Sequence, residues 1–173
     1  LQPQSPYSAS KISADNLALS YFYSFNLPVS IIRPFNTYGP RQSQRAIIPT
    51  IINQIRFNKD QTIELGNLNP TRDFSFVEDT CSAYLKFINT KNCIGKIINI
   101  GSGNNISINK LAILIAKLMS KKIKFKNSKL RVRPKSSEVL NLCASIRVAN
   151  KDLNWSPKYS GAQGLKKGLI KTI

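Results

Sequence analysis

A tyrosine and a lysine stand four residues apart near the start of the chain, in the run Tyr7-Ser8-Ala9-Ser10-Lys11. On a helix this spacing puts both side chains on one face. A lysine charge stabilises a nearby phenolate. A tyrosine so placed suits a base that takes a proton from a sugar or alcohol hydroxyl during hydride transfer. Taken alone, the pair reads better as a packed tyrosine beside a solvated lysine. A second cluster follows at Arg33-Pro34-Phe35-Asn36-Thr37-Tyr38-Gly39-Pro40-Arg41, directly after an apolar run.

Other chemistries are excluded by composition. The 173 residues contain no histidine, so no His-based general base, no Ser-His-Asp or Cys-His pair and no His-containing zinc site is available. Cys81, Cys93 and Cys143 are odd in number, widely spaced and form no CxxC, which argues against a disulfide framework or a metal knuckle and fits a reducing cytoplasm. Hydrophobic residues make up 42%, enough for a packed core. No apolar run is long enough to span a membrane, and no signal-peptide pattern precedes it. The chain starts at Leu1 rather than Met, which suggests a fragment.

Charge is uneven. There are 26 Lys+Arg against 8 Asp+Glu, a formal +18, and residues 91–173 hold 18 of the basic and 2 of the acidic residues. The run Lys121 to Lys135 has eight basic residues and no acidic one. Without an interleaved aromatic series it reads as a solvated lysine-rich surface rather than a nucleic-acid or anionic-membrane patch.

The elements that must position these residues follow from periodicity. Pro6 opens a helix to about Phe25, with Leu17, Ala18, Tyr21, Phe22 and Phe25 as its expected buried face. Val29 to Ile32 reads as a buried parallel strand, and Arg33 to Gln44 as a loop. Ala46 to Phe57 is helical on its isoleucine spacing, Thr62 to Leu65 a strand, and Phe74 to Val77 extended. Asp79 is expected to cap a helix to about Asn89. Lys96 to Ile100 is a strand closed by Gly101-Ser102-Gly103, a turn that lacks the GxGxxG spacing of a cofactor fingerprint. Ser107 caps a further helix with Leu111, Leu114, Ile115 and Leu118 on one face. A strand at Lys122 to Phe125 and two short helices, near Ile146 to Leu153 and Gly161 to Ile170, complete an α/β pattern.

In this order, YxxxK, helix, buried strand and RPxNxYGP resemble the extended short-chain dehydrogenase/reductase family, and more narrowly its nucleotide-sugar epimerases and dehydratases. The resemblance runs on through Ala46-Ile47-Ile48-Pro49, Gly66-Asn67-Leu68, Thr71-Arg72-Asp73-Phe74, Val77-Glu78-Asp79 and Asn99 to Gly103. It ends with Arg133-Pro134, Ser137-Glu138-Val139 and Leu153-Asn154-Trp155-Ser156-Pro157. The runs Arg33 to Thr50 and Leu65 to Phe74 look closest to bacterial NAD-dependent 4,6-dehydratases of UDP- or GDP-N-acetylglucosamine of the legionaminic-acid pathway type.

The resemblance implies an α/β fold, the C-terminal half of an NAD(P)-binding Rossmann enzyme with a small substrate domain. Residues 1–44 and 75–103 would belong to the NAD-binding part, and 45–74 and 104–173 to the nucleotide-sugar part. Tyr7 would be the base and Lys11 would hold the nicotinamide ribose. Pro34 and Phe35 would flank the nicotinamide. Asn36, Pro49, Arg72 and Arg133 would contact substrate, the arginines through its diphosphate, which a guanidinium fork matches well. Each role has a plainer alternative: an Asx turn for Asn36, an ion pair with Asp73 for Arg72, and simple surface charge for Arg133. Glu78 and Asp79 read as helix-orienting rather than chemical. The family often has Asp at the place of Ser145, where serine still caps a helix, and Gly at Asn154, where asparagine tolerates the left-handed conformation.

The resemblance places the Gly-rich turn for the NAD pyrophosphate upstream of Tyr7, together with the acidic pair that separates dehydratase from epimerase. It implies a cytoplasmic nucleotide-sugar enzyme, homodimeric when full length, with no metal, no nucleic acid and no membrane among its partners. The fragment alone is expected to be inactive. A 4-epimerase, a basic nucleic-acid-binding module and a non-catalytic remnant are the competing readings.

Overall fold

The computed structural model describes residues 3–128 and 137–173. Arg133, and all of the basic run beyond Ser128, lie outside the described residues. Helix α1 spans Pro6–Phe25. Strand β1 follows at Ile31–Pro34, β2 at Asn36–Tyr38, helix α2 at Ile47–Phe57 and β3 at Thr62–Leu65. Next come β4 at Thr71–Phe76, α3 at Val77–Ile88, β5 at Ile97–Ile100 and β6 at Asn105–Ser107. The order ends with α4 at Ile108–Leu118, β7 at Lys124–Asn127, β8 at Asn141–Leu142, α5 at Arg147–Leu153 and α6 at Gly161–Thr172. This is the α/β architecture expected from the sequence.

Among the described residues the strands form three small groups. Strands β1 and β5 are parallel, with Ile31 opposite Ile97. Strand β2 runs parallel to β4, which also pairs antiparallel with β6 and parallel with β8. Strands β3 and β7 form a separate parallel pair.

Two cores hold these groups together. The larger joins the isoleucines of α2 to Ile63, Leu65, Phe74, Phe76, Leu111, Ile115 and Leu169. The smaller packs Trp155, Ala149 and Leu153 against Ile98, Ile100, Ala83 and Cys93. The indole N–H of Trp155 is satisfied by Ser82 Oγ at 2.9 Å, so this large ring is buried without an orphaned donor. Ser5 and Ser8 form a reciprocal cap at the start of α1, and Ser107 caps α4 as expected.

The expected inner face of α1 is corrected by the structure. No residue of α1 is fully buried, and Leu17, Tyr21 and Phe25 are exposed. The half-buried stripe is Ser8, Ala9, Ile12, Asp15, Ala18, Leu19 and Phe22, so of the expected face Ala18 and Phe22 do lie on it. Asp15 holds the helix to β1 through Arg33 at 2.5 Å, and Phe22 lies against Gly95, where an added Cβ would meet its ring at 2.6 Å. The helix is thus apolar on two sides, and the described residues cover only one. Periodicity marks apolar faces but does not say which of two is covered.

Two capping expectations also fail. Asp79 lies inside the first turn of α3, whose N-cap is Phe76. Its buried carboxylate accepts from the backbone N–H groups of Lys158 and Tyr159, both at 2.8 Å, and so pins the approach to α6. Ser145 does not cap α5, which begins one residue later with Ile146 at the N-cap. Asn154 does adopt the left-handed conformation, at φ 49°, ending α5 as a glycine would.

Candidate active site

Strand β2, the start of α2, the end of β3 and strand β4 surround a cleft of about 490 Å³. Asn36 and Arg72 both line it, with Thr37, Gln42, Arg45, Thr50, Asn67 and Glu138. Two residues assigned to substrate from the sequence are therefore brought to one cavity from positions 36 residues apart. Parallel pairing of β2 with β4 does this, because Asn36 sits opposite Phe74.

Asn36 makes no Asx turn. Its Nδ2 donates to the Asp73 carbonyl oxygen at 2.8 Å, tying the two strands at the rim of the cleft. Arg72 does not pair with Asp73 either. Its Nη1 donates to the carbonyls of Val139 at 2.6 Å and Thr71 at 2.9 Å, and its Nη2 to Glu138 at 3.1 Å. The pair is well shielded, with side-chain exposures of 15% and 11%, so water screens it less than a surface pair.

Asp73 does different work. Its buried carboxylate accepts from Ser102 Oγ at 2.6 Å, Ser102 N at 2.8 Å, and Gly103 N and Ala144 N at 3.0 Å each. The Gly101-Ser102-Gly103 turn is thus a structural clasp on β4, consistent with its lack of fingerprint spacing. Cys143 stands 4.0 Å from the same carboxylate, and its thiol is pushed up from its ordinary range by burial first and by the Asp73 charge second.

The loop before α2 supplies cleft residues that sequence reasoning missed. Gln42 donates through Nε2 to the Thr37 carbonyl at 2.8 Å, while its Oε1 is buried and has no partner among the described residues. Arg45 is exposed at the cleft and its guanidinium has no partner among the described residues. A charged residue between the Gly39-Pro40 turn and the start of a helix was the available signal. Glu138 lay in a quoted motif without a role. Pro49 lies half-buried in the first turn of α2, beside Thr50 but not among the lining residues.

The other predicted residues stand apart from this cleft. Tyr7 and Lys11 share one face of α1 as their spacing requires, with Lys11 Nζ 5.6 Å from the Tyr7 ring centroid. Tyr7 is 72% exposed, and neither polar head has a competing hydrogen-bond partner among the described residues. Pro34 and Phe35 lie at the carboxyl end of β1, where Phe35 N donates to Ile100 O at 2.8 Å. That end of a parallel pair is where ligands sit in open α/β sheets. Residues 34–36 lead directly from it to the cleft.

Comparison with known proteins gives the context. The family model described as GDP-mannose 4,6 dehydratase matches residues 1–168. A dTDP-D-glucose 4,6-dehydratase of Dictyostelium discoideum is 45% identical over 107 residues, 62% of this chain and 24% of that protein. A putative UDP-glucose 4-epimerase of Methanocaldococcus jannaschii is 31% identical over 170 residues, 96% of this chain and 53% of that protein. Among solved structures, the UDP-glucuronic acid 4-epimerase of Bacillus cereus, in complex with UDP-glucuronic acid and NAD, superposes with a TM-score of 0.86 at 30% identity. The match covers 98% of this chain and 52% of that one, so the chain spans about half the length of such relatives, or less. Because the family model matches 168 of the 173 residues of this chain, the chain belongs to the GDP-mannose 4,6 dehydratase family, among the extended short-chain dehydrogenase/reductases that comprise nucleotide-sugar 4,6-dehydratases and epimerases.

Proposed function

We propose that this chain is part of an NAD-dependent nucleotide-sugar 4,6-dehydratase acting on an NDP-N-acetylhexosamine, in surface-polysaccharide or nonulosonic-acid precursor synthesis. The observation that carries the reading is the polar cleft that joins Asn36 and Arg72, reached directly from the Pro34-Phe35 end of β1. The nucleotide sugar would lie in that cleft, its diphosphate toward the arginines and its base toward the start of α2 near Pro49. Arg133 joins the substrate contacts by resemblance alone.

The residues present fit a nicotinamide ribose. Tyr7 offers a hydroxyl and Lys11 an ammonium group, both exposed on one helix face and free of internal partners among the described residues. Pro34 and Phe35 offer backbone groups at the strand end. NAD, when bound, accepts a hydride and returns it. The steps of this chain are the proton's: Tyr7 takes the proton of the sugar C4 hydroxyl as the 4-keto sugar forms, and Lys11 holds the phenolate charge in check. Water is then lost across C5 and C6.

A 4-epimerase is the second reading, supported by relatives of that name that align with almost the whole chain. In it the 4-keto sugar turns over and C4 is reduced on the opposite face. In both readings residues 1–44 and 75–103 serve the cofactor, with α5 and Trp155 packed on them, and 45–74 and 104–173 serve the substrate. The exposed face of α1 would be covered in a homodimer of the complete cytoplasmic protein.

Tyr7→Phe in the complete protein that carries this chain tests the assignment. Turnover should fall by at least about a thousandfold, with nucleotide-sugar affinity nearly unchanged. Normal kcat in the variant would refute the role of Tyr7.

A further inference from the structure

We infer that the pole of the larger core remote from the cleft docks on an anionic lipid bilayer. The inference goes beyond the nucleotide-sugar reading and uses none of its residues. Helices α2 and α4 pack together on that core, and each leads into one strand of the parallel pair β3 and β7. Thr62 stands opposite Lys124, and Lys124 N donates to Gln61 O at 2.9 Å, so both helix-to-strand turns emerge at one pole. Leu65 and Asn127 face each other at the far ends of the same strands, and Leu65 lines the cleft. Pole and cleft therefore lie at opposite ends of one strand pair.

Six exposed cations crowd this pole. Arg56 and Lys59 stand at the end of α2, Lys117 in the last turn of α4, and Lys121, Lys122 and Lys124 between α4 and the start of β7. None of them makes an ion pair among the described residues. Asp60 is the acidic residue beside them, within electrostatic reach of Lys124. The other seven acidic residues of the chain are engaged elsewhere, five in ion pairs and two buried as acceptors of backbone N–H groups. Residues 129–136 bring four further cations and no acidic residue, so they add no counter-charge. One or two cations at a helix C-terminus answer the negative end of its dipole. A net charge of five positive, six cations against Asp60, goes well past that and repels itself with nothing inside the chain to offset it.

Aromatic rings accompany the charge. The run from Lys121 to Lys135 holds a single one, Phe125, and the fold adds another from α2. Phe57, between Arg56 and Lys59, is 72% exposed, and Phe125 is 38% exposed. Exposed rings among lysines suit a bilayer surface, where the ring enters the headgroup boundary and each lysine meets negative lipid. A nucleic acid is matched less well. Five of the six cations are lysines, which offer no bidentate fork to a phosphate, and the helices present carbonyl ends rather than N–H groups.

Co-sedimentation of the complete protein with lipid vesicles tests the inference. Vesicles of phosphatidylcholine and phosphatidylglycerol in equal parts should retain the protein, vesicles of phosphatidylcholine alone should not, and retention should fall steeply as salt rises. Lys121→Gln with Lys122→Gln should weaken partitioning about twentyfold. Phe57→Ser should weaken it severalfold at every salt concentration. Lys91→Gln with Lys151→Gln removes the same charge beside the smaller core and should change it by less than about threefold. All five side chains are exposed, so each variant should fold as the unmodified protein does. Absence of retention on the anionic vesicles at low salt, or equal losses from the two lysine pairs, would overturn the inference. Tighter retention by a DNA duplex than by the anionic vesicles at physiological salt would overturn it as well.

Discussion

Asp73 shows how a residue beside a candidate ligand can matter more than the ligand residue itself. Its neighbour Arg72 faces the cleft, but Asp73 gathers four donors from two distant segments, at Ser102, Gly103 and Ala144. Asp73→Asn replaces one accepting oxygen with a donor that faces other donors. It should destabilise the protein by about 2–3 kcal/mol, read as a lower denaturant midpoint at unchanged slope. Loss of less than about 0.5 kcal/mol would show that the clasp is dispensable. The sequence exposed the types and positions of Asn36 and Arg72 but not their partners. An ion pair between Arg72 and Asp73 looked natural because the two are adjacent. On a strand, though, adjacent side chains point to opposite faces, so Arg72 reaches Glu138 while Asp73 turns inward. Arg45 escaped notice because an arginine in a loop has no periodicity to mark it.

At the scale of elements, the boundaries of α1, α2 and α4 were legible within a residue or so, because proline, serine caps and isoleucine spacing mark them. What periodicity could not supply was the cover for α1, since that depends on what else packs there. Nor could it reveal that Asp79 serves α6 rather than its own helix, because the partners are 79 and 80 residues away. The docking of α6 depends on a close approach. An added Cβ at Gly168 would lie 2.2 Å from Tyr38 Oη and 3.0 Å from Phe76. Gly168→Ala should therefore cost about 1–3 kcal/mol despite alanine's better helix propensity. If the variant melts at or above the temperature of the unmodified protein, α6 is not seated against Tyr38. The pair of Glu78 and Lys171 reinforces the same seat. Its hydrogen bonds to Lys171 and Tyr159 hold the Glu78 carboxyl below its ordinary range, so this contribution is present near neutrality and fades as pH falls through that lowered value.

The whole molecule presents Tyr7 and Lys11 on an open helix beside a two-stranded parallel pair, and a polar cleft on a larger core. Parallel strands are normally covered on both sides, and among the described residues β1 has a single strand neighbour. The isolated 173-residue chain should accordingly fail to bind NAD with micromolar affinity in a calorimetric titration, and micromolar binding would contradict the proposed division of labour. The most direct test of the account is product analysis by proton NMR after incubating the complete protein with NAD and UDP- or GDP-N-acetylglucosamine. A dehydratase yields a 4-keto-6-deoxy sugar nucleotide, seen as a new C6 methyl doublet; recovery of a C4-inverted sugar with its C6 hydroxyl intact, or of unchanged substrate alone, would contradict the proposed dehydratase activity.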